Sequence, residues 1–204
     1  MTKSVPPMDP AGPPLSSEVV DPHEPAHLDL IPFGIIEPMI SSVVAANIQA
    51  VVGLFVRTHP PSELPADAFI TMRNQYDAAK IIHTIGQADG GAPFKLGLIA
   101  HDLCIPILTY VYGESQMGGS AAVISTARLF DTRQEIFYQR IAKVAVHETG
   151  HLVGLAHCRQ IDCLMRFSRD IEQLDRLPLL FCSVCEYEIA RQIKRFINMG
   201  TAGK

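Results

Sequence analysis

The sequence predicts an α/β protein built on a mixed β-sheet. Apolar residues make up 48% of the 204 residues, which is enough for one well-buried domain, with or without a small appendage. The first predicted elements alternate strand, helix, strand, helix, strand, and this order favours parallel strands joined by helical crossovers. A later pair of strands is separated by a loop too short for a crossover helix, so we expect at least one antiparallel neighbour.

The elements of the first half are predicted from hydrophobic patterning and from the positions of proline and glycine. A short apolar run over 28–33 predicts the first strand. A helix is expected over 38–49, where a proline occupies the first turn and its missing N–H costs nothing. The β-branched run 51–57 predicts the second strand. Apolar residues at helical spacing over 74–85 predict the second helix.

Three more strands and two more helices are predicted in the second half. Apolar runs predict strands over 94–100, 105–112 and 121–125, with a glycine-rich turn between the last two. A long helix is expected over 133–155, and a final helix over 184–197. The segment between these two helices shows little hydrophobic periodicity, so it needs another source of stability.

Three regions are predicted along the chain. Residues 1–26 are expected to be a disordered tail, because they are rich in proline and carry almost no large apolar side chains. We expect a catalytic subdomain over 27–155 and a C-terminal subdomain over 156–204.

Charge and composition exclude some classes of partner and location. The net charge is −4 and no long run of lysine or arginine occurs, so we expect no nucleic-acid partner. The most apolar run, 40–56, is interrupted by polar residues and is short for a membrane span, so we expect no membrane partner. No secretory signal pattern is visible and the five cysteines are odd in number, which favours the reducing cytoplasm.

Two histidines four residues apart in a predicted helix indicate a metal site. His147 and His151 project from one face of the helix about one turn apart, so both imidazoles can reach the same ion. Glu148 follows the first histidine and is rotated out of line with both. Its carboxylate can therefore reach a metal-activated water rather than the metal.

A glycine and a third histidine follow at offsets that complete such a site. Gly154 can adopt the left-handed conformation that ends a helix, and this turn carries His157 back toward the ion. Three neutral imidazoles leave the fourth zinc position open, which is typical of a catalytic site. The His-Glu-x-x-His pentapeptide also occurs by chance in unrelated helices. The added glycine, the third histidine and the later Met165 argue against coincidence here.

The complete string, His-Glu-x-x-His-x-x-Gly-x-x-His followed by a methionine, is similar to the metzincin clan of metallopeptidases. Here a cysteine directly follows the third histidine and three more follow within 27 residues, an arrangement that resembles the archaemetzincin family. The resemblance implies a metzincin-like five-stranded mixed sheet, an active-site helix and a small C-terminal subdomain. It also implies a methionine turn at Met165, beneath the catalytic metal.

The clustered cysteines predict a second metal site. They are Cys158, Cys163, Cys182 and Cys185. Intervals of four and two residues within the pairs are typical of a tetrahedral structural zinc, whereas two disulfides or free core thiols are the alternatives. A reducing compartment favours zinc. We therefore expect two zinc ions per chain, one catalytic and one structural, with the structural ion fixing the position of His157.

The predicted function is zinc-dependent hydrolysis of peptide bonds by a zinc-activated water, with Glu148 as the general base. The expected partner is a peptide or protein substrate, and an aminopeptidase or a hydrolase of short peptides is a specific form of this prediction. The strand over 108–113 is expected to be a sheet edge that pairs with an extended substrate, and the alternative is an ordinary internal strand. The alternative is a zinc-stabilised binding protein with little or no turnover. Glu148 favours the enzyme, because zinc binding alone needs no carboxylate there.

Overall fold

Two sheets organise the chain in a computed structural model, which describes residues 27–87 and 91–201. The predicted disordered tail, residues 1–26, lies outside the described residues. The strands are β1 (His27–Phe33), β2 (Phe55–Thr58), β3 (Phe69–Ile70), β4 (Gln75–Asp77), β5 (Phe94–Ile99), β6 (Leu103–Ile105), β7 (Leu108–Val111), β8 (Gly113–Ser115) and β9 (Ala121–Ser125). The α-helices are α1 (Pro38–Val51), α2 (Ala78–Gln87), α3 (Gln134–Val153), α4 (Ile171–Arg176) and α5 (Ser183–Thr201).

The larger sheet has five strands in the order β2-β1-β5-β9-β8. Its first four strands are parallel, and β8 pairs antiparallel with β9 at one edge. The predicted mixed sheet with one antiparallel neighbour is therefore confirmed. The smaller sheet has the order β3-β4-β6-β7.

Helices cover both faces of the larger sheet. On one face, α1 and α3 enclose a core with side chains such as Leu28, Leu30 and Leu96. On the other face, α2 packs over a second cluster that includes Phe33, Ile85 and Val123. Every residue of β5 and β9 is buried, as expected for parallel strands covered on both sides. This burial makes the sheet a rigid support for α3.

Two predicted boundaries in the first half are wrong by several residues. The second strand begins at Phe55 rather than at 51, because α1 continues to Val51 and the chain reverses at Gly53 with a φ of +81°. The second helix begins at Ala78 rather than at 74. Asn74 is left-handed with a φ of +50°, and the three residues after it form β4.

The predicted strand over 105–112 is wrong as a single element. The chain turns at Pro106, so β6 and β7 form an antiparallel hairpin in the smaller sheet. Proline supplies no N–H to a sheet and favours a turn at this point. Only the following strand, β8, joins the larger sheet. The antiparallel edge that was predicted therefore exists, but it is three residues long and begins at Gly113.

The predicted long helix and final helix are confirmed as α3 and α5. Between them lies α4, a six-residue helix that the hydrophobic pattern does not predict. One core cluster holds side chains from α3 together with Leu164, Leu174 and Ile189. The boundary between the two subdomains at 155–156 stays a prediction. Among the described helices, none has the length and apolarity that a membrane crossing requires.

Candidate active site and metal centres

Three histidine side chains converge at the C-terminal half of α3. The Nε2 atom of His151 lies 3.1 Å from that of His147 and 3.3 Å from that of His157. The first two share one face of α3, whereas the third reaches the same point because α3 ends at Gly154. Gly154 has a φ of +107°, and its N–H and that of Leu155 both donate to the Gly150 carbonyl. This capping turn reverses the chain, as the sequence predicted.

The outer ring nitrogens of two of these histidines are already engaged. His147 Nδ1 donates to the Leu164 carbonyl at 2.8 Å, and His151 Nδ1 donates to the Leu155 carbonyl at 2.6 Å. Both Nε2 lone pairs are thereby left to face the shared point. Burial lowers the pKa of His147 to about 4 and also lowers the pKa values of His151 and His157. All three imidazoles are therefore neutral near neutral pH, the form that binds metal.

The histidine separations fit a zinc ion. Nitrogen ligands about 2.0–2.1 Å from a tetrahedral zinc lie about 3.3 Å from one another. The observed separations of 3.1 and 3.3 Å match that spacing, and the three donors form one of two groups in the described residues that could hold a metal ion.

Glu148 is buried beside the histidines and is held from the edge strand. Its Oε2 atom accepts a hydrogen bond of 2.8 Å from the Ser115 hydroxyl. Burial raises the pKa of the Glu148 carboxyl, while the neighbouring His151 and the Ser115 hydroxyl oppose that rise. The backbone of Gly113 approaches the same side chain closely, since a Cβ built there would lie 2.6 Å from Glu148 Cγ. Neither contact is predictable from local sequence patterns, because both join segments more than 30 residues apart.

Met165 lies against α3 and joins the two halves of the site. It is fully buried, and a Cβ built on Gly150 would lie 2.6 Å from its sulfur, so the helix presents glycine where the methionine packs. The Met165 carbonyl accepts a hydrogen bond of 2.8 Å from the N–H of Cys158. The turn containing Met165 is therefore tied directly to the residue after His157.

The four predicted cysteine ligands form a second group. Their sulfur atoms all lie within 4.8 Å of one another, and Cys158 and Cys182 are 3.8 Å apart. Sulfurs about 2.3 Å from a tetrahedral zinc are separated by about 3.8 Å, so this group also fits the ion. All five cysteines are free, which contradicts the disulfide alternative. The backbone N–H of Cys185, in the first turn of α5, faces the Cys182 sulfur and lowers the pKa of that thiol to about 7.

A cleft of about 540 Å³ runs along the three histidines. One wall is formed by β7 and β8, and the other is formed by α3, Leu174 and the segment 167–169. The ring of Tyr110 lies in this wall under the guanidinium of Arg128, 4.1 Å from its centre. Arg128 is in turn paired with Asp102 at 2.7 Å. This support for the cleft wall is another feature that the sequence did not predict.

The chain matches known proteins along most of its length. The model of peptidase family M54 matches residues 46–191. An archaemetzincin from Methanopyrus kandleri is 34% identical over 161 residues, which cover 78% of this chain and 92% of the relative. An archaemetzincin from Haloarcula marismortui is 33% identical over 172 residues, which cover 80% of this chain and 99% of the relative.

Solved structures show the same similarity. The crystal structure of archaemetzincin from Methanopyrus kandleri superposes with a TM-score of 0.79 at 32% identity, covering 87% of this chain and all of that one. Archaemetzincin from Archaeoglobus fulgidus, solved in complex with malonate, gives a TM-score of 0.71 at 29% identity, covering 79% of this chain and 99% of that one. The metzincin-like fold that the sequence implied is thus confirmed.

Proposed function

The chain belongs to peptidase family M54, and we propose that it hydrolyses peptide bonds at the three-histidine site with Glu148 as the general base. Membership of this family makes it a zinc metallopeptidase, an enzyme that acts on peptides or proteins. The observation that supports the proposed site is the convergence of three neutral imidazole nitrogens beside one buried carboxylate.

His147, His151 and His157 are the proposed ligands of the catalytic zinc. When bound, zinc supplies a Lewis acid that polarises a carbonyl and makes water more acidic. The carbonyls of Leu164 and Leu155 fix the orientations of the first two rings. Glu148 takes a proton from the attacking water and later delivers it to the leaving amine. Ser115 holds the Glu148 carboxylate in place for both transfers.

The four cysteines are the proposed ligands of a second, structural zinc. Cys158 adjoins His157 and donates its N–H to the Met165 carbonyl, so any displacement of this group moves the catalytic site. The structural zinc therefore supports the position of the third histidine. Two zinc ions per chain are expected on this account.

The edge strand β8 is the proposed docking site for the substrate backbone. The Tyr112 carbonyl accepts a hydrogen bond from Ser125 of β9, and the Gln116 N–H donates to Ala121 of β9. Because the direction of the backbone groups alternates along an antiparallel ladder, the N–H and C=O groups of Gly113 and Ser115 point away from β9. The Leu108 and Thr109 carbonyls already accept hydrogen bonds from Arg73. The proposed docking edge therefore lies at 113–115 and shares only Gly113 with the predicted edge at 108–113.

We further propose that an extended peptide pairs antiparallel with β8 and that the substrates are short peptides or amino-terminal segments. A cleft of about 540 Å³ has the size of a site that encloses only a few residues. Comparing matched peptides with free and acetylated amino termini distinguishes an aminopeptidase from an endopeptidase.

The variant Glu148→Gln tests the function. It preserves the size of the side chain but removes the base, so we expect unchanged zinc content and a loss of kcat/KM of about 1000-fold or more. Zinc is measured by mass spectrometry and hydrolysis with a peptide library. The matched control is Glu135→Gln, an exposed position on the same helix.

Undiminished hydrolysis by Glu148→Gln would eliminate the proposed base. A zinc-loaded wild type that binds peptides but cleaves none of the library would favour the binding-protein alternative.

A further inference from the structure

A second cavity adjoins the catalytic cleft behind the segment 167–169. Its volume is about 570 Å³, and Phe167, Ser168 and Arg169 line both spaces. The Phe167 ring packs edge-on against His157, with the ring centres 5.2 Å apart. The wall between the two cavities therefore begins directly at the histidine site.

The second cavity is lined by three arginines, and we call it the arginine pocket. They are Arg166, Arg169 and Arg176, and the acidic residue in the lining is Asp162. Apolar side chains, among them Ile161 and Leu177, complete the walls. The lining therefore carries three guanidinium groups against one carboxylate, although the net charge of the chain is −4.

The positive charges in the pocket are largely available to a ligand. Arg176 has only a loose surface pair with Glu172, at 3.7 Å with both side chains about four-fifths exposed. Within residues 27–87 and 91–201, neither Arg166 nor Arg169 makes an ion pair. The nearby Asp170 carboxylate accepts two hydrogen bonds from Gln173 as the cap of α4. Two exposed guanidinium groups thus lack a carboxylate partner.

The position of the pocket indicates which part of a substrate it meets. A peptide antiparallel to β8 runs from the Ser115 end toward the Gly113 end, so its residues after the scissile bond lie toward Tyr112. Since β8 runs alongside α3, with Gly113 at Glu148 and Gly118 at Gly154, this is the side of the cleft lined by Val144 and Leu174. Arg169 lines both this cleft and the arginine pocket, so the two spaces adjoin at this residue.

We propose that the arginine pocket binds a carboxylate of the substrate on the carboxyl-terminal side of the scissile bond. Arginine recognises carboxylates through paired N–H donors, and the apolar walls exclude some of the competing water. The enzyme then prefers substrates with Asp or Glu two or three residues after the cleaved bond, or with a free terminal carboxylate there. This inference rests on the proposed function and names a substrate class for the same site.

The test uses four matched peptides with one cleavable bond. They carry either Glu or Gln at the second and third positions after that bond, and each has either a free or an amidated carboxyl terminus. We expect kcat/KM about tenfold higher for Glu than for Gln, since exposed charge pairs each contribute a few-fold. The ratio should fall toward one at high salt. Comparing the peptides with free and amidated carboxyl termini shows whether the pocket recognises a terminal carboxylate or an acidic side chain.

The double variant Arg166→Gln/Arg169→Gln should remove the preference. The ratio of kcat/KM for the Glu peptide to kcat/KM for the Gln peptide should then lie within about twofold of one. Arg195→Gln, which removes an exposed arginine on α5 that lines neither cavity, should preserve the ratio. Anisotropy of labelled peptides on Glu148→Gln measures the same preference as a dissociation constant, without turnover.

Each outcome decides the inference separately from the function. Hydrolysis without an acidic preference overturns the inference and leaves the peptidase intact. A preference confined to residues before the cleaved bond, or one that survives in the double variant, also overturns it. Absent hydrolysis with preferential binding of the Glu peptides would support the pocket while contradicting the proposed chemistry.

Discussion

A Cβ atom built on Gly113 would lie 2.6 Å from Cγ of Glu148, so β8 and α3 approach each other where the edge strand carries no side chain. The φ of Gly113 is not in the left-handed region, so the requirement for glycine is one of space. This contact places the edge strand against the proposed base, and the Ser115 hydroxyl two residues later holds its carboxylate.

Gly113→Ala should displace the Glu148 side chain. The added methyl cannot share space with Cγ, and misplacement of a catalytic group by about 1 Å costs about 100-fold in rate. We therefore expect kcat/KM to fall by about 100-fold with zinc content unchanged. The control is Gly86→Ala, where a new Cβ meets only Ala121 Cβ, at 4.0 Å. Gly86 lies in α2, so this control should be neutral or slightly stabilising. Full activity of Gly113→Ala would show that Glu148 need not stay where the structure places it.

Ser115→Ala should move the acid limb of the pH profile to higher pH. The Ser115 hydrogen bond favours the ionised carboxylate and so lowers the pKa of Glu148 against the larger, opposite effect of burial. Its removal raises that pKa, and the base becomes protonated at a higher pH than in the wild type. The measurement is kcat/KM against pH, with a loss of about tenfold expected on the acid side. An acid limb that stays in place or moves to lower pH would contradict the proposed contact.

Cys182→Ser should reduce the zinc content from about two ions per chain to about one. We also expect a lower melting temperature, because a structural zinc contributes directly to folding. Activity should fall as well, since Cys158 adjoins His157 and its N–H donates a hydrogen bond to the Met165 carbonyl. Zinc content, thermal unfolding and hydrolysis are measured together. Cys104→Ala, at a buried cysteine outside the cluster, should preserve the zinc content. Two zinc ions in Cys182→Ser would refute the assignment of the structural site.

Asp175→Asn should destabilise the protein at neutral pH and make its stability less sensitive to acid. Two hydrogen bonds from Arg140, of 2.8 and 2.7 Å, lower the pKa of Asp175 below the ordinary value of an aspartate. A carboxylate with a depressed folded-state pKa stabilises the fold above its unfolded pKa, and that contribution disappears as the pH falls through the folded value. Because the Asp175 side chain is 38% exposed and solvent screens the pair, the free energy of unfolding should drop by only about 1 kcal/mol at pH 7, with the difference shrinking below about pH 4.

The control for this variant is Asp67→Asn, whose carboxylate is 78% exposed and lies 3.9 Å from Lys80. An exposed pair of this kind should change stability by less than about 0.5 kcal/mol. The free energies of unfolding of both variants and of the wild type are measured by denaturant unfolding at several pH values. Equal acid sensitivity of Asp175→Asn and wild type would mean that the Arg140 pair does not stabilise α4 against α3.

The regular elements could be predicted where their cause is local. Apolar runs placed β1, β5 and β9 to within about a residue, because a buried strand leaves a continuous apolar signal. The single strand predicted over 105–112 is wrong, since the turn at Pro106 separates β6 from β7 and since the strand that joins the larger sheet, β8, begins only at Gly113. The helix α4 was not predicted, because six residues carry too little periodicity and the helix is held by Arg140 and Lys143 of α3.

The sequence by itself determined the donor groups and their spacing. An i, i+4 pair on a helix, a glycine that ends it and cysteines at short intervals are local patterns, so helix and turn geometry alone predict which side chains meet. The tertiary structure alone decided how the base is held and where a substrate can lie. Gly113 and Ser115 come to the site because the edge strand packs on α3, more than 30 residues away in the chain. The arginine pocket forms because the irregular segment 161–177 folds beside the histidine site. Such contacts leave no periodic signal in the sequence, because they depend on the whole fold rather than on neighbouring residues.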